Sequence, residues 1–393
     1  MVTTFVFWIS FGILYYSYIG YGLLLFLLVK AKQLFGKKQA IAGDVEWPEI
    51  TLVVAAFNEE DCIGEKLTNS FALQYPAGKL RFIFISDGST DRTAAILDAQ
   101  PGITHLHNRE RAGKTAALNR AMAAVQTPLV VFSDANALLD PASLQWMAPH
   151  FRDPKVGAVS GEKKVNAGRN SSTTGRGEGL YWKYESTLKK WDSDLNTVVG
   201  AAGELFAIRT PLYEPLPEDL LLDDFFISLN LCKRGWRVVY EPRAFSIELP
   251  SASIQEERKR KQRISAGGFQ AMVRLWPLLI PIPHPVLSFQ YVSHRVLRWT
   301  LCPACLIALL ISNILLVEWG AKPLYQWFLA GQVLFYGLAL LGALLGEKGR
   351  KYPLVQFPYY FVTVNVSVIQ GFMRYLRGGQ SVNWEKSTRE KSI

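Results

Sequence analysis

Apolar positions follow two rhythms along this chain. Near the N-terminus and beyond residue 298 they form long uncharged blocks, whereas between Trp47 and about Pro250 they come in short runs that end on polar residues. Phe5–Val29, Trp299–Val317 and Phe328–Leu345 are each at or near the ~20 residues that span a bilayer core, which predicts three membrane helices. The first is expected to stay on as an anchor, since it lacks a basic leader, runs too long, and no small-residue cleavage site follows. In the middle region "EITLVVAAF", "LRFIFI", the weaker "GITHLHN" and "PLVVF" read as buried strands, with helical stretches between them. Continuous apolar strands alternating with helices predict a doubly wound, mostly parallel α/β sheet covered on both faces. Ligands of such sheets bind beyond the carboxyl ends of the strands. Asn58, Glu59, Asp87 and Asp134 all stand there.

The pattern then changes twice more. "NAGRNSSTTGRGEG" (166–179) is small, polar and glycine-rich, the composition of a flexible loop or lid. Its Asn170-Ser171-Ser172 sequon is set aside because the segment is expected in the cytoplasm. Residues 265–297 are amphipathic and interrupted by Pro277, Pro281, Pro283 and Pro285, as suits segments lying on a membrane surface. Pro353–Met373 is long enough to span. It carries Gln356, Pro358, Asn365 and Gln370, however, and Arg374, Arg377, Lys386 and Arg389 follow it. A span there would carry those charges outside, so an interfacial helix with a cytoplasmic C-terminus is expected. The resulting division is an anchor with basic linker (1–46), a catalytic α/β domain (47–264), surface helices (265–298), two membrane helices (299–346), and an interfacial helix with a C-terminal loop (347–393).

Charge orients these parts. Lys30, Lys32, Lys37 and Lys38 follow the first span and nothing basic precedes it, so the N-terminus is expected outside an inner (plasma) membrane and the α/β domain inside. The net charge of +10 is largely juxtamembrane and suits anionic lipid; no base-reading helix or aromatic pattern supports nucleic acid as partner. Cys302 and Cys305 form a CxxC within a membrane helix, without the second ligand pair that zinc needs.

Five stretches carry chemistry. In "SDAN", Asp134 and Asn136 could ligate a hard cation, or could simply make a strand-to-loop turn. "SDGSTD" aims Asp87 at the ligand face, with Ser89 or Thr90 as a helix cap. "RAGKTAALN" sets Lys114 at a helix start without Walker spacing. Asp223-Asp224, between "LLL" and "FFI", are either an N-cap pair or include a general base at an apolar mouth. The basic run Arg258–Arg263 is a solvated or lipid-facing patch, or a diphosphate clamp.

In their order, "VVAAFNEE", "SDGSTD", "GKTAALN", "SDAN", "LLDDF" and "QRISAGG", flanked by membrane helices, resemble the membrane-bound family 2 glycosyltransferases, among them the cellulose, hyaluronan and poly-N-acetylglucosamine synthases. The resemblance implies a GT-A fold, a nucleotide-diphosphate sugar donor, with a UDP-sugar as the default, and inversion at the anomeric carbon. It implies that Ala55, Asn58, Glu59 and Asp87 meet base and ribose with Lys114 nearby, and that Asp134, with Asn136, holds Mg²⁺ or Mn²⁺ and the diphosphate. Asp224 matches the base of the family's "TED". Gly203 and Glu204 in "GAAGELF" would line the acceptor side, and Arg260 and Arg263 stand at the Gln and Arg of QxxRW. Trp384, Thr388 and Arg389 in "WEKSTR" resemble the gating loop of the synthases.

Three departures shape the expected function. Asn136 replaces the second Asp of DxD, Asp223 the Glu of "TED", and Ile264 the Trp that stacks on the acceptor sugar. The chain also stops where the synthases add membrane helices, so a self-contained polymer channel is not expected. The reading is hexosyl or N-acetylhexosaminyl transfer to a lipid-linked or membrane-proximal saccharide acceptor in polysaccharide or glycolipid synthesis. Processive synthesis is the alternative within the class; outside it stand a nucleotidyltransferase, for which "VVAAFNEE" lacks the glycine-rich triphosphate loop, and a catalytically inactive nucleotide-sugar-binding membrane protein.

Overall fold

The computed structural model describes residues 1–35, 46–165, 174–249, 254–346 and 352–378. Its helices are α1 (Val2–Tyr15), α2 (Tyr21–Phe35), α3 (Ile63–Phe71), α4 (Thr93–Asp98), α5 (Lys114–Ala124), α6 (Ser143–Met147), α7 (Thr174–Leu195), α8 (Asp223–Lys233), α9 (Ile254–Arg274), α10 (Pro285–Tyr291), α11 (Leu297–Trp299), α12 (Leu301–Glu318), α13 (Pro323–Leu345) and α14 (Pro353–Leu376). The strands are β1 (Ile50–Ala56), β2 (Leu80–Asp87), β3 (Thr104–Asn108), β4 (Leu129–Asp134), β5 (Leu138–Leu139), β6 (Val156–Val165), β7 (Phe206–Arg209) and β8 (Arg237–Glu248). They join in one sheet of order β3-β2-β1-β4-β7-β6-β8-β5.

The four strands read from the apolar runs pair in parallel, β3 on β2, β2 on β1 and β1 on β4. Successive residues of each serve opposite cores. Val53, Val130 and Phe132 pack with Ala117 and Leu118 of α5, while Leu52, Val54 and Val131 pack with Ile63 and Leu67 of α3 and Leu144 of α6. A strand buried on both faces has no room for polar alternation, which explains its continuous apolar sequence. β7 enters antiparallel between β4 and β6, so the parallel order breaks beside β4. The register sets Ala55 of β1 next to Asp134 of β4.

Among the described residues, three helices are long and apolar enough to cross a membrane: Val2–Phe35, Leu301–Glu318 and Pro323–Leu345, at the places of the three expected spans. A π-helical turn, Tyr16–Gly20, divides the first into α1 and α2. Around α1, Phe7 packs with Leu316 and Tyr325 of the membrane helices. α2 instead docks on the α/β domain: Tyr21 and Leu25 pack on Leu188 of α7, and Lys32 Nζ donates to the carbonyls of Asp194 (2.9 Å) and Leu195 (2.6 Å). Beneath this contact lies a buried polar cluster. Asp192 accepts from Tyr21 Oη and bonds His294 Nδ1 (2.6 Å), and Glu185 pairs with Arg298 and Arg295.

The expected division at residue 264 falls inside α9, which runs unbroken into the surface region. α14 lies along it at close range. A Cβ on Gly371 would stand 2.5 Å from Ser265 Cβ and 2.8 Å from the Gln262 carbonyl.

Candidate functional site

The loops after β1 and β2 lock onto each other. Asn58 sits at φ 53°, a left-handed conformation that asparagine tolerates. Its backbone N–H donates to Ser89 Oγ (3.1 Å) and its Oδ1 accepts from Thr90 N–H (2.8 Å). Glu59 N–H donates to Thr93 Oγ1 (2.8 Å), and the Glu59 carboxylate accepts from Cys62 Sγ (3.1 Å). Ser89 and Thr90 are therefore loop ties, not the helix cap expected of them. α4 opens later, where Asp91 Oδ1 accepts from Thr93 N–H (3.0 Å).

Asp87 ends β2 and is only 2% exposed. Its Oδ2 accepts from Ala112 N–H (3.1 Å) and Gly113 N–H (2.7 Å), and its Oδ1 pairs with Arg120 (2.6 Å). The carboxylate thereby fixes the loop that launches α5. Gly113, at φ 94°, turns the chain into that helix, and Lys114 is its first residue. The Lys114 ammonium reaches across to Asp134 Oδ1 (2.8 Å) and Asp223 Oδ2 (3.2 Å), so the cation serves the carboxylate end of the site. Burial opposes its charge, but the two carboxylates prevail and hold its pKa above the ordinary lysine value.

At Asp134 the turn reading of "SDAN" is seen directly. A backbone turn is present, with Ala137 N–H donating to the Asp134 carbonyl (3.2 Å), while the Asp134 side chain reaches outward to Lys114. Below the turn, the fully buried Lys66 of α3 donates to Ser133 Oγ (2.7 Å) and to the Ala137 carbonyl. One oxygen each from Asp134, Glu204 and Glu248 lies within 4.8 Å of the others. Lys163 of β6 pairs with Glu204 and, at 2.6 Å, with Glu248. Burial raises the Asp134 pKa, as do Glu204 and Glu248, while Lys114 opposes the rise. Such a set of hard carboxylate oxygens fits Mg²⁺ or Mn²⁺. Asn136, expected as the second ligand, stands half-buried on the turn; the side chains that gather around Asp134 are Glu204 and Glu248.

Asp223 and Asp224 form the first turn of α8, whose N-cap is Leu222, so neither caps the helix as expected. Burial, and then the neighbouring Asp223, push the Asp224 carboxyl up to about 7, with Lys114 pulling the other way. The "GAAGELF" loop packs directly on it: a Cβ on Gly203 would lie 3.1 Å from Asp224 Oδ2. Next to it, and against its own burial, Glu204 is held below the usual carboxylate range by Lys163.

The remaining expected residues divide. Arg263 is largely enclosed and lies in the field of Asp134 and Asp223. Arg260 pairs with Glu257 one turn back on α9 (3.0 Å). Trp384, Thr388 and Arg389 lie outside the described residues, as does the 166–173 part of the lid loop. Sequence reasoning missed Glu248, Lys163 and Lys66. The burial of two of them follows from tertiary packing: Glu248 lies on the buried face of β8 with Ala244 and Ser246, and Lys66 on the α3 face that buries Ile63, Leu67 and Ser70.

Comparison with known proteins agrees with this geometry. The family profile described as glycosyltransferase like family 2 matches residues 48–267. The poly-beta-1,6-N-acetyl-D-glucosamine synthase of Staphylococcus aureus (strain MSSA476) is 28% identical over 250 residues, 61% of this chain and 58% of that protein. The beta-monoglucosyldiacylglycerol synthase of a Synechocystis strain is 28% identical over 257 residues, 60% of this chain and 51% of that protein. The chain thus spans under two thirds of the length of these curated relatives. Among solved structures, the mannosyltransferase PcManGT from Pyrobaculum calidifontis, in complex with GDP-Man and Mn²⁺, superposes with a TM-score of 0.71 at 22% identity, covering 95% of this chain and all of that one. The fold is therefore shared, over 95% of the chain, with a GT-A glycosyltransferase. With the family profile matching more than half of its length, the chain belongs to glycosyltransferase family 2.

Proposed function

We propose that this protein is an inverting membrane glycosyltransferase that moves a sugar from a nucleotide-diphosphate donor to a lipid-linked or membrane-proximal saccharide. The observation that carries the reading is Asp224, a half-buried carboxyl on the first turn of α8, beside the Asp134–Lys114–Asp223 bridge and under Gly203, and pushed up to about 7. A base with that pKa accepts a proton readily near neutral pH. In the reaction, an acceptor hydroxyl attacks the anomeric carbon, the bond to the leaving diphosphate breaks, and Asp224 takes the hydroxyl proton. Asp134, with Glu204, Glu248 and Asn136, would hold Mg²⁺ or Mn²⁺, which neutralises the donor diphosphate when bound. Arg263 and Arg260 stand on the diphosphate side, Ala55, Asn58, Glu59 and Asp87 on the nucleoside side, and Gly203 on the acceptor side. Trp384, Thr388 and Arg389 form the gating-like loop in this reading.

The three apolar helices support a membrane placement, and the lysines after the first of them, Lys30 and Lys32, support an N-terminus outside and an α/β domain in the cytoplasm. Relatives named for a diacylglycerol glycolipid and for a polysaccharide support an acceptor held at the membrane. The second of these names also supports the processive alternative. The test is nucleotide release by detergent-purified protein offered UDP- and GDP-sugars with Mg²⁺, Mn²⁺ or EDTA. Metal-dependent release from one donor, lost in Asp224→Asn, is expected. No release from any donor, with or without membrane lipid extract, would overturn the proposal in favour of a nucleotide-sugar-binding protein.

A further inference from the structure

Lys163 has no part in the transfer chemistry, yet it occupies the acidic end of the site. Its side chain is 3% exposed and sits on Glu204 and, at 2.6 Å, on Glu248, whose side chain is 1% exposed. Parallel pairing of β6 with β8 brings this about: Lys163 lies beside Ser246, and Val165 beside Glu248. Both carboxylates also belong to the trio that closes on Asp134. The trio meets two ammoniums: Lys114 holds Asp134 at 2.8 Å, and the Lys163 ammonium holds the other two carboxylates. The same ammonium is also the cation that any metal ion must displace or share carboxylates with. Enclosed as it is, it cannot swing into water to make way.

Resting on the metal-dependent reading above, we infer that Lys163 is an internal counter-cation of this trio, a positioning residue that keeps a divalent ion off Glu204 and Glu248 until a nucleotide diphosphate brings further oxygens and negative charge. Metal and donor then load together, and the acidic site does not bind a stray ion in the absence of donor. Charge repulsion between an ammonium and a divalent cation a few ångströms apart is large enough to govern occupancy.

The test is Mn²⁺ binding by the full chain in detergent, with free Mn²⁺ read by electron paramagnetic resonance, without nucleotide and with saturating UDP or GDP against a nucleotide-only blank. Wild type should bind Mn²⁺ at least about tenfold more tightly with nucleotide than without. Lys163→Met should raise the nucleotide-free affinity at least about tenfold and shrink that difference, while Lys163→Arg should behave as wild type. Glu248→Gln, nearly isosteric, should weaken nucleotide-supported binding, and it decides the matter should Lys163→Met not fold. An unchanged or lower nucleotide-free affinity in Lys163→Met, or unchanged binding in Glu248→Gln, overturns the inference alone. Absence of Mn²⁺ binding by wild type even with nucleotide overturns the metal reading and the inference with it.

Discussion

Removing the charge of Asp223 should move the pH dependence of the reaction without abolishing it. Asp224 must be unprotonated to accept the acceptor proton, so kcat/KM should fall tenfold per pH unit below about 7, where this carboxyl titrates. Burial is the larger cause of its raised pKa and Asp223 the next. Neighbouring like charges at an effective dielectric of ~20 repel by about 2 kcal/mol, which is worth somewhat more than one pH unit. Lys114, bonded to Asp223 at 3.2 Å, already offsets part of that repulsion. Asp223→Asn should therefore move the acid limb down by ~1 pH unit and leave it above the usual aspartate range, because burial is untouched. The assay is nucleotide release against pH with the preferred donor. A wild-type limb at pH 4, or a limb that stays in place in Asp223→Asn, would refute the reasoning.

Other predictions follow from the same geometry. A carboxyl raised from 3.8 to about 7 binds its proton more tightly folded than unfolded, so its contribution to stability falls as pH rises from about 4 to 7. Asp224→Asn should be inactive yet more stable than wild type at pH 8, by up to about 4 kcal/mol, with little gain at pH 4; a lower melting temperature at pH 8 would contradict this. Lys66→Met removes both hydrogen bonds beneath the Asp134 turn and should lower kcat by about tenfold in the release assay. Asp192→Ala leaves His294, Tyr21 and Gln290 without their shared partner and should destabilise the protein by about 3 kcal/mol, read by thermal unfolding in detergent. Gly371→Ala should force α14 away from α9, at about 1–3 kcal/mol, by the same measurement.

How far the sequence alone could reach depended on the range of each signal. The four parallel strands were readable because a strand buried on both faces writes its burial into consecutive residues, as Leu52, Val53 and Val54 do. Asp134 and Asp224 were readable because each interrupts an apolar run at the end or start of an element. Glu248 was not, because it becomes part of the site only once β6 and β8 pair and bring Lys163 and Glu204 to it. Lys66 likewise looks like a solvated helix residue until α3 packs against β4. The capping readings of Ser89, Thr90 and Asp223 failed for a local reason: each offered a good capping side chain, but tertiary partners, Asn58 for the first two and Lys114 for the third, claimed it. The second half of the first apolar segment, α2, was read as membrane by composition, and its docking on α7 through Tyr21 and Lys32 depends on a surface that composition does not reveal.

The most direct measurement is transfer of labelled sugar from the preferred donor into a membrane-lipid extract by wild type and Asp224→Asn, with the anomeric configuration of the product read by NMR. Metal-dependent transfer with configuration opposite to that of the donor, absent in the variant, is the expected result. Retained configuration, or transfer undiminished in Asp224→Asn, would contradict Asp224 as the base of an inverting glycosyltransferase.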